Sequence, residues 1–284
     1  MIVTTKELYT KAKAGGYAVG AFNVSTPEAI RGILEAANEL AAPVVIETSG
    51  GEMKYMTPTV VVDIVKEYAD KLDIPVGIHL DHGPSLEAVK EAIAAGYTSV
   101  HIDASALSYD ENLKVSKEVV EYAHERGITV EGELGHVGGA SEVHDGDSKI
   151  EKSTMTDPIQ AAEYVKLTGV DILASSIGNI HGVYENEPQL DFERLAEIGK
   201  IGIPLSLHGG SGIPAEQVHE AIGLGIAKVN VNTELRAAYT NTLREELNEN
   251  PDEIVPYKYL PEEIEAIKEV VKIKIKMFGS EGKA

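Results

Sequence analysis

Val76-Gly77-Ile78-His79-Leu80-Asp81-His82-Gly83 opens with a short apolar run and ends in reactive side chains beside a glycine. Residues 76–80 have the length and composition of a strand covered on both faces. Residues 86–95 follow with helical spacing of apolar positions and stop at Ala95-Gly96, a helix-end signal. Residues 99–102 then read as a second strand. A strand, a helix and another strand at this spacing predict parallel pairing through a crossover.

The same unit recurs in both directions. Upstream, strands at 19–24 and 43–47 are followed by helices at 27–40 and 58–72. Downstream, strands at 99–102, 129–133, 171–174, 205–207 and 228–231 alternate with helices at 111–126, 158–167, 192–198, 215–224 and 233–248. Eight strand–helix units predict an α/β protein with a closed (β/α)₈ TIM barrel, a doubly wound open sheet being the alternative. An extra helix is expected at 6–13 and another at 261–277. No internal repeat or linker divides the chain, so residues 1–284 are expected to form one domain. The segment around 135–156 is long, polar and rich in Gly, Asp and Ser, and reads as a mobile active-site loop. Residues 278–284 read as a frayed tail.

Composition narrows the function. The 284 residues include 46 acidic and 25 basic side chains, a formal charge of −21. Such a body repels nucleic acid and anionic membranes, so neither is an expected partner. A phosphorylated ligand would need a local site of backbone N–H groups, a few basic side chains or metal ions. There is no cysteine, which excludes disulfides, thiolate metal sites and thiol catalysis. The chain begins without a signal-peptide pattern and no apolar stretch is long enough to span a bilayer, so a soluble cytoplasmic protein is expected.

In a (β/α)₈ barrel, chemistry sits at the C-terminal ends of the strands. Three ends each deliver a histidine next to glycine: His82 in the third unit, His181 in the sixth and His208 in the seventh. A single histidine is ordinarily a surface or core residue. Three at one barrel mouth make a candidate zinc site with an open position. His79 is expected in the core or behind a ligand, and His101, His124, His136, His144 and His219 lack comparable support. Asp81 is either a general acid/base or an orienting group. Gly209-Gly210-Ser211-Gly212 and Asn230-Val231-Asn232-Thr233 each precede a helix, where phosphate binds readily, although an ordinary tight turn reads alike. Glu131 and Glu133 share a face of the fifth strand, and Asp103 ends the fourth.

These segments together resemble the class II, metal-dependent fructose-bisphosphate and tagatose-bisphosphate aldolase family, nearly end to end. His79-Leu80-Asp81-His82-Gly83 is similar to its H-x-D-H-G segment, and Gly178-Asn179-Ile180-His181-Gly182-Val183-Tyr184 to its second-histidine loop. His208–Gly212 with Asn230–Thr233 is similar to its dihydroxyacetone-phosphate cradle. The resemblance implies reversible cleavage of a phosphorylated ketose, with fructose 1,6-bisphosphate ahead of tagatose 1,6-bisphosphate. It implies Zn²⁺ or another divalent metal on His82, His181 and His208, with Asp103 and Glu133 near alternative positions. It implies that Asp81 exchanges a proton with the C4 hydroxyl, and that Asn23, Ser49, Gly182, Gly209, Gly210, Ser211, Asn230, Val231, Asn232 and Thr233 contact substrate. A monovalent cation, Na⁺ or K⁺, near the phosphate and a homodimer or homotetramer are further implications.

Three positions depart from the family pattern. The acid that usually ends E-L-G-x-x-G-G-x-E falls one residue later, at Glu142, which is carried over as the loop acid/base. Glu185 stands where Lys often follows H-G-V-Y. Tyr257 replaces the arginine of D-P-R-K, removing a cation that commonly meets the distal phosphate. A ketose phosphate with a different distal group, a metal-dependent hydrolase and a non-catalytic sugar-phosphate binder stay open as alternatives.

Overall fold

The computed structural model describes residues 1–147, 152–186 and 189–284. α1 (Thr5–Gly15) leads into β1 (Val19–Asn23), then α2 (Pro27–Glu39), capped by the Thr26 hydroxyl and started by Pro27. β2 (Val44–Ser49) runs into α3 (Gly50–Met56), where Ser49 and Glu52 form a reciprocal capping box, and α4 (Pro58–Ala69) follows. β3 (Val76–Gly83) and α5 (Leu86–Ala95) are joined at the Ser85 cap, and Gly96 ends the helix with left-handed backbone. β4 (Ser99–Ile102), α6 (Tyr109–His124) and β5 (Thr129–Leu134) complete the first five units.

β6 (Gly139–Asp147) comes next, then α7 (Pro158–Thr168), β7 (Ile172–Ser175) and β8 (His181–Asn186). The chain finishes with α8 (Phe192–Gly199), β9 (Leu205–Leu207), α9 (Ala215–Gly223), β10 (Ile226–Val231), α10 (Thr233–Glu249) and α11 (Pro256–Met277).

Eight parallel strands close in the order β1-β10-β9-β7-β5-β4-β3-β2. That closure excludes the open sheet. The strands are buried nearly throughout, because helices cover them outside and side chains fill the interior. At the N-terminal mouth, Leu8, Tyr9 and Ala12 of α1 pack on Val19, Ala21, Val45, Ile172 and Ala227, plugging the barrel. Higher up the interior is charged: the fully buried Lys228 ammonium lies 2.8 Å from Glu131 and 3.5 Å from Glu47. Outside, α11 packs on α2 and α10 through Ile264, Ile267, Val271 and Ile275.

Four features differ from expectation. The segment expected as a loop around 135–156 contains β6, which pairs in parallel with β8 in a two-stranded ribbon apart from the barrel; residues 148–151 of that segment lie outside the described residues. Its polar composition hid it because a ribbon above the barrel needs no apolar face. α3, seven residues long, is an added helix after β2. α11 starts at Pro256, with Pro261 inside its first turns. The tail is tied down: Phe278 and Ser280 are buried, and the N–H groups of Gly282 and Ala284 donate to Leu40 and Ala41 carbonyls at 2.9 Å each.

Candidate active site

His82, His181 and His208 come together at the C-terminal mouth. His82 Nε2 lies 3.0 Å from His208 Nδ1 and 3.3 Å from His181 Nε2. Ligands on a tetrahedron around zinc at about 2.0–2.1 Å would stand roughly 3.3 Å apart. The far nitrogens each have an acceptor: His82 Nδ1 faces Asp103 at 2.7 Å, His208 Nε2 faces Glu131 at 2.8 Å, and His181 Nδ1 faces the Gly138 carbonyl at 3.1 Å. Those partners favour ring protons on the outer nitrogens, so that the inner nitrogens of His208 and His181 both face His82 Nε2. The donor set therefore fits a divalent metal of the zinc type.

Backbone geometry makes this convergence. The β3–β4 register shifts between Leu80 and Gly83, and His82 sits there with φ +46, a left-handed conformation rare outside glycine. This turn swings its ring over the mouth. Gly209 has φ +64, and a Cβ there would meet the Ile180 carbonyl at 2.3 Å. Only glycine lets the end of β9 lie against the His181 segment.

The charges around this point need a cation. Burial opposes protonation of His82, but the Asp81 and Asp103 carboxylates outweigh it and push the imidazole up to about 10. In the metal-free protein a proton on His82 thus stands in for positive charge, which a metal would displace. Burial, then repulsion from His82 and His208, lowers His181 to about 4. Burial also raises Asp81, but His82 and His208 outweigh it and hold the carboxyl well below the usual range. Asp81 accepts from Asn23 Nδ2 at 3.0 Å and Asn230 Nδ2 at 3.1 Å, so both oxygens are oriented.

A cavity of about 490 Å³ opens above the histidines. Asn23, Ser49, Asp81, His82, Asp103, His181, Gly182, Gly209, Ser211, Asn230, Asn232 and Thr233 line it, as does Glu142 from β6. The side-chain carbonyl oxygens of Asn230 and Asn232 are buried without a hydrogen-bond partner, which suits a hydroxyl-rich or cationic guest. Two expected substrate contacts are absent from the wall. The Val231 side chain lies in the core, and the Gly210 N–H is used by the Asn230 carbonyl at 3.0 Å. Glu133 lies beneath the cavity, 3.9 Å from His82 Nδ1; burial raises its carboxyl to about 8.

Several residues escaped the sequence reading. His101 is fully buried among the histidines and accepts from the His82 backbone N–H at 3.2 Å. Strand alternation offered a signal, since His101 precedes Asp103 by two residues. Glu131 appeared only as one of two acids, without its link to His208. Arg236 and Glu52, which meet at 2.6 Å, had no local signal because 184 residues separate them.

The family model described as class-II fructose-bisphosphate aldolase matches residues 3–283. The chain is 47% identical to a fructose-bisphosphate aldolase of Staphylococcus epidermidis, over 100% of this chain and 99% of that one. It is 46% identical to that of Geobacillus stearothermophilus, with the same coverage. Among solved structures, the YdjI aldolase of Escherichia coli K12 superposes with a TM-score of 0.88 at 38% identity, covering all of both chains. A putative fructose-1,6-bisphosphate aldolase of Coccidioides immitis gives a TM-score of 0.86 at 30% identity, covering 98% of this chain and 96% of that one.

Proposed function

The chain belongs to the class-II fructose-bisphosphate aldolase family and is a carbon–carbon lyase; from that premise we propose that it cleaves fructose 1,6-bisphosphate to dihydroxyacetone phosphate and glyceraldehyde 3-phosphate, using zinc. The carrying observation is that His82 Nε2 lies 3.0 Å from His208 Nδ1 and 3.3 Å from His181 Nε2, beside the oriented Asp81. The relatives' names support fructose bisphosphate as the substrate.

In this reading His82, His181 and His208 hold the metal, which supplies Lewis-acid polarisation of the ketose carbonyl when bound. Asp81 takes the proton of the C4 hydroxyl. The C3–C4 bond then breaks, the C4 oxygen becomes the aldehyde of glyceraldehyde 3-phosphate, and the bonding electrons pass toward C2. Glu142 delivers a proton to C3 and completes dihydroxyacetone phosphate. The phosphate rests on backbone groups of Gly182, Gly209 and Ser211 and on the start of α10 at Thr233. Asn23 and Ser49 face the other half of the ketose. A sodium or potassium ion beside the phosphate is part of the same reading, and the unpaired Asn232 oxygen suits it.

The remaining roles are proposed on the same footing. The chain acts as one barrel domain whose moving part is the β6 segment carrying Glu142. It works in the cytoplasm as a homodimer or homotetramer; among the described residues no helix is long and apolar enough to cross a membrane. The test is coupled detection of dihydroxyacetone phosphate from fructose and tagatose 1,6-bisphosphates, before and after EDTA and zinc. Zinc-restorable release, faster from the fructose epimer, is expected. Release from neither by zinc-loaded protein would overturn the substrate.

A further inference from the structure

Glu234 puts a carboxylate at the second residue of α10, beside the turn proposed above to hold a phosphate. Its Oε1 accepts the Gly212 N–H at 3.0 Å, and its own N–H faces Ser211 Oγ at 3.5 Å. The carboxylate thus ties the Gly209–Gly212 turn to the start of α10. It also brings negative charge to the end of a helix that would otherwise favour an anion. Gly182, Gly209, Ser211 and Thr233 of the cradle carry no charge. The field at the turn therefore depends on whether Glu234 is balanced.

The balancing cation comes from a distant element. Lys274, in the last turn of α11, brings its Nζ to 2.6 Å from Glu234 Oε2. Among the described residues this is the only ion pair that Glu234 makes. Lys274 continues the helical spacing of Ile264, Ile267 and Val271, the face on which α11 is buried, and is itself only 4% exposed. An apolar side chain would pack at such a position without desolvating an ammonium, so the lysine is explained by its charge. Lys274 lines none of the central cavity, and reaches it only through Glu234.

We propose that Lys274 is a positioning residue that compensates charge behind the phosphate cradle. By neutralising Glu234 it lets that carboxylate shape the glycine turn without repelling the phosphate of the substrate. This rests on the cradle reading above. The C-terminal helix thereby sets the affinity of a site that it does not touch.

The experiment titrates dihydroxyacetone phosphate calorimetrically into the zinc-loaded wild type, Lys274→Met, Glu234→Gln and the double variant, with zinc affinity measured alongside. Lys274→Met leaves the Glu234 charge unanswered and should weaken binding by roughly 10-fold with zinc affinity unchanged. Adding Glu234→Gln to it removes the charge, keeps an acceptor for Gly212 and should restore most of the loss. Glu234→Gln alone should bind at least as tightly as wild type, and decides the matter if Lys274→Met does not fold. Unchanged binding in Lys274→Met overturns the proposal. So does a double variant as weak as Lys274→Met, which would mark the loss as one of shape, or weaker binding in Glu234→Gln alone. A wild type that binds no dihydroxyacetone phosphate removes the cradle reading and this proposal with it.

Discussion

Glu131 Oε1 accepts the Nε2 proton of His208 at 2.8 Å, while Glu131 Oε2 lies 2.8 Å from the Lys228 ammonium. The buried ion pair therefore reaches the His208 imidazole through one carboxylate. Burial alone would raise the Glu131 carboxyl, but Lys228 and His208 outweigh it and keep it well below the ordinary range.

Glu131→Gln keeps the shape but weakens the acceptor behind His208. Zinc affinity should fall about 10- to 100-fold, the usual effect of removing an outer partner of a ligand. Competition with a chromophoric chelator reads this directly. Unchanged affinity would mean that the carboxylate does not tune the ligand.

Glu47 is fully buried, and neither carboxylate oxygen has a hydrogen-bond partner. Burial first, then Asp81, pushes its carboxyl well above the usual range despite Lys228. A carboxyl raised on folding makes the native state bind more protons than the unfolded one, so stability falls as pH rises from about 4.5 towards the folded value. Urea denaturation of the metal-free protein between pH 5 and 7 should show this, and Glu47→Gln should remove up to about 1.4 kcal/mol of the loss per pH unit. Identical slopes for the two proteins would count against a raised Glu47.

The roles proposed for Asp81 and Glu142 concern different protons, so their variants should separate two partial reactions. Asp81→Ala should lower ketose cleavage by about 10²–10⁴-fold yet retain exchange of the C3 proton of dihydroxyacetone phosphate. Glu142→Ala should lose both. Exchange surviving in Glu142→Ala would move the C3 proton to another group.

Gly209→Ala adds a Cβ 2.3 Å from the Ile180 carbonyl at φ +64. The strain should destabilise the protein by about 1–3 kcal/mol and loosen the seat of His181, lowering zinc affinity as well. Calorimetry and zinc titration together check it. A variant as stable as wild type would show that the His181 segment yields freely.

The pattern around 76–102 was legible because strand and helix periodicities are local, and eight such units leave few topologies. The clustering of His82, His181 and His208 was legible for a related reason: a barrel puts every strand's C-terminal end at one mouth, so position in the unit stands for position in space. The β6–β8 ribbon was not legible, since its polar strands carry no burial pattern and pair across an intervening barrel strand. His101 could have been read from its alternation with Asp103. The partners Glu131 and Lys228 could not, because which inward side chains meet depends on strand register and tilt.

The barrel, the reactive strand ends and the glycine turns before α9 and α10 are all legible along the chain, because each follows from neighbours a few residues apart. Only the tertiary structure decided that Arg236 meets Glu52, that Glu131 stands behind His208 and that Glu142 reaches the cavity. Those contacts join residues brought together by closure of the barrel and by the ribbon above it, and no short-range pattern specifies which distant side chains such a closure will bring within hydrogen-bond reach.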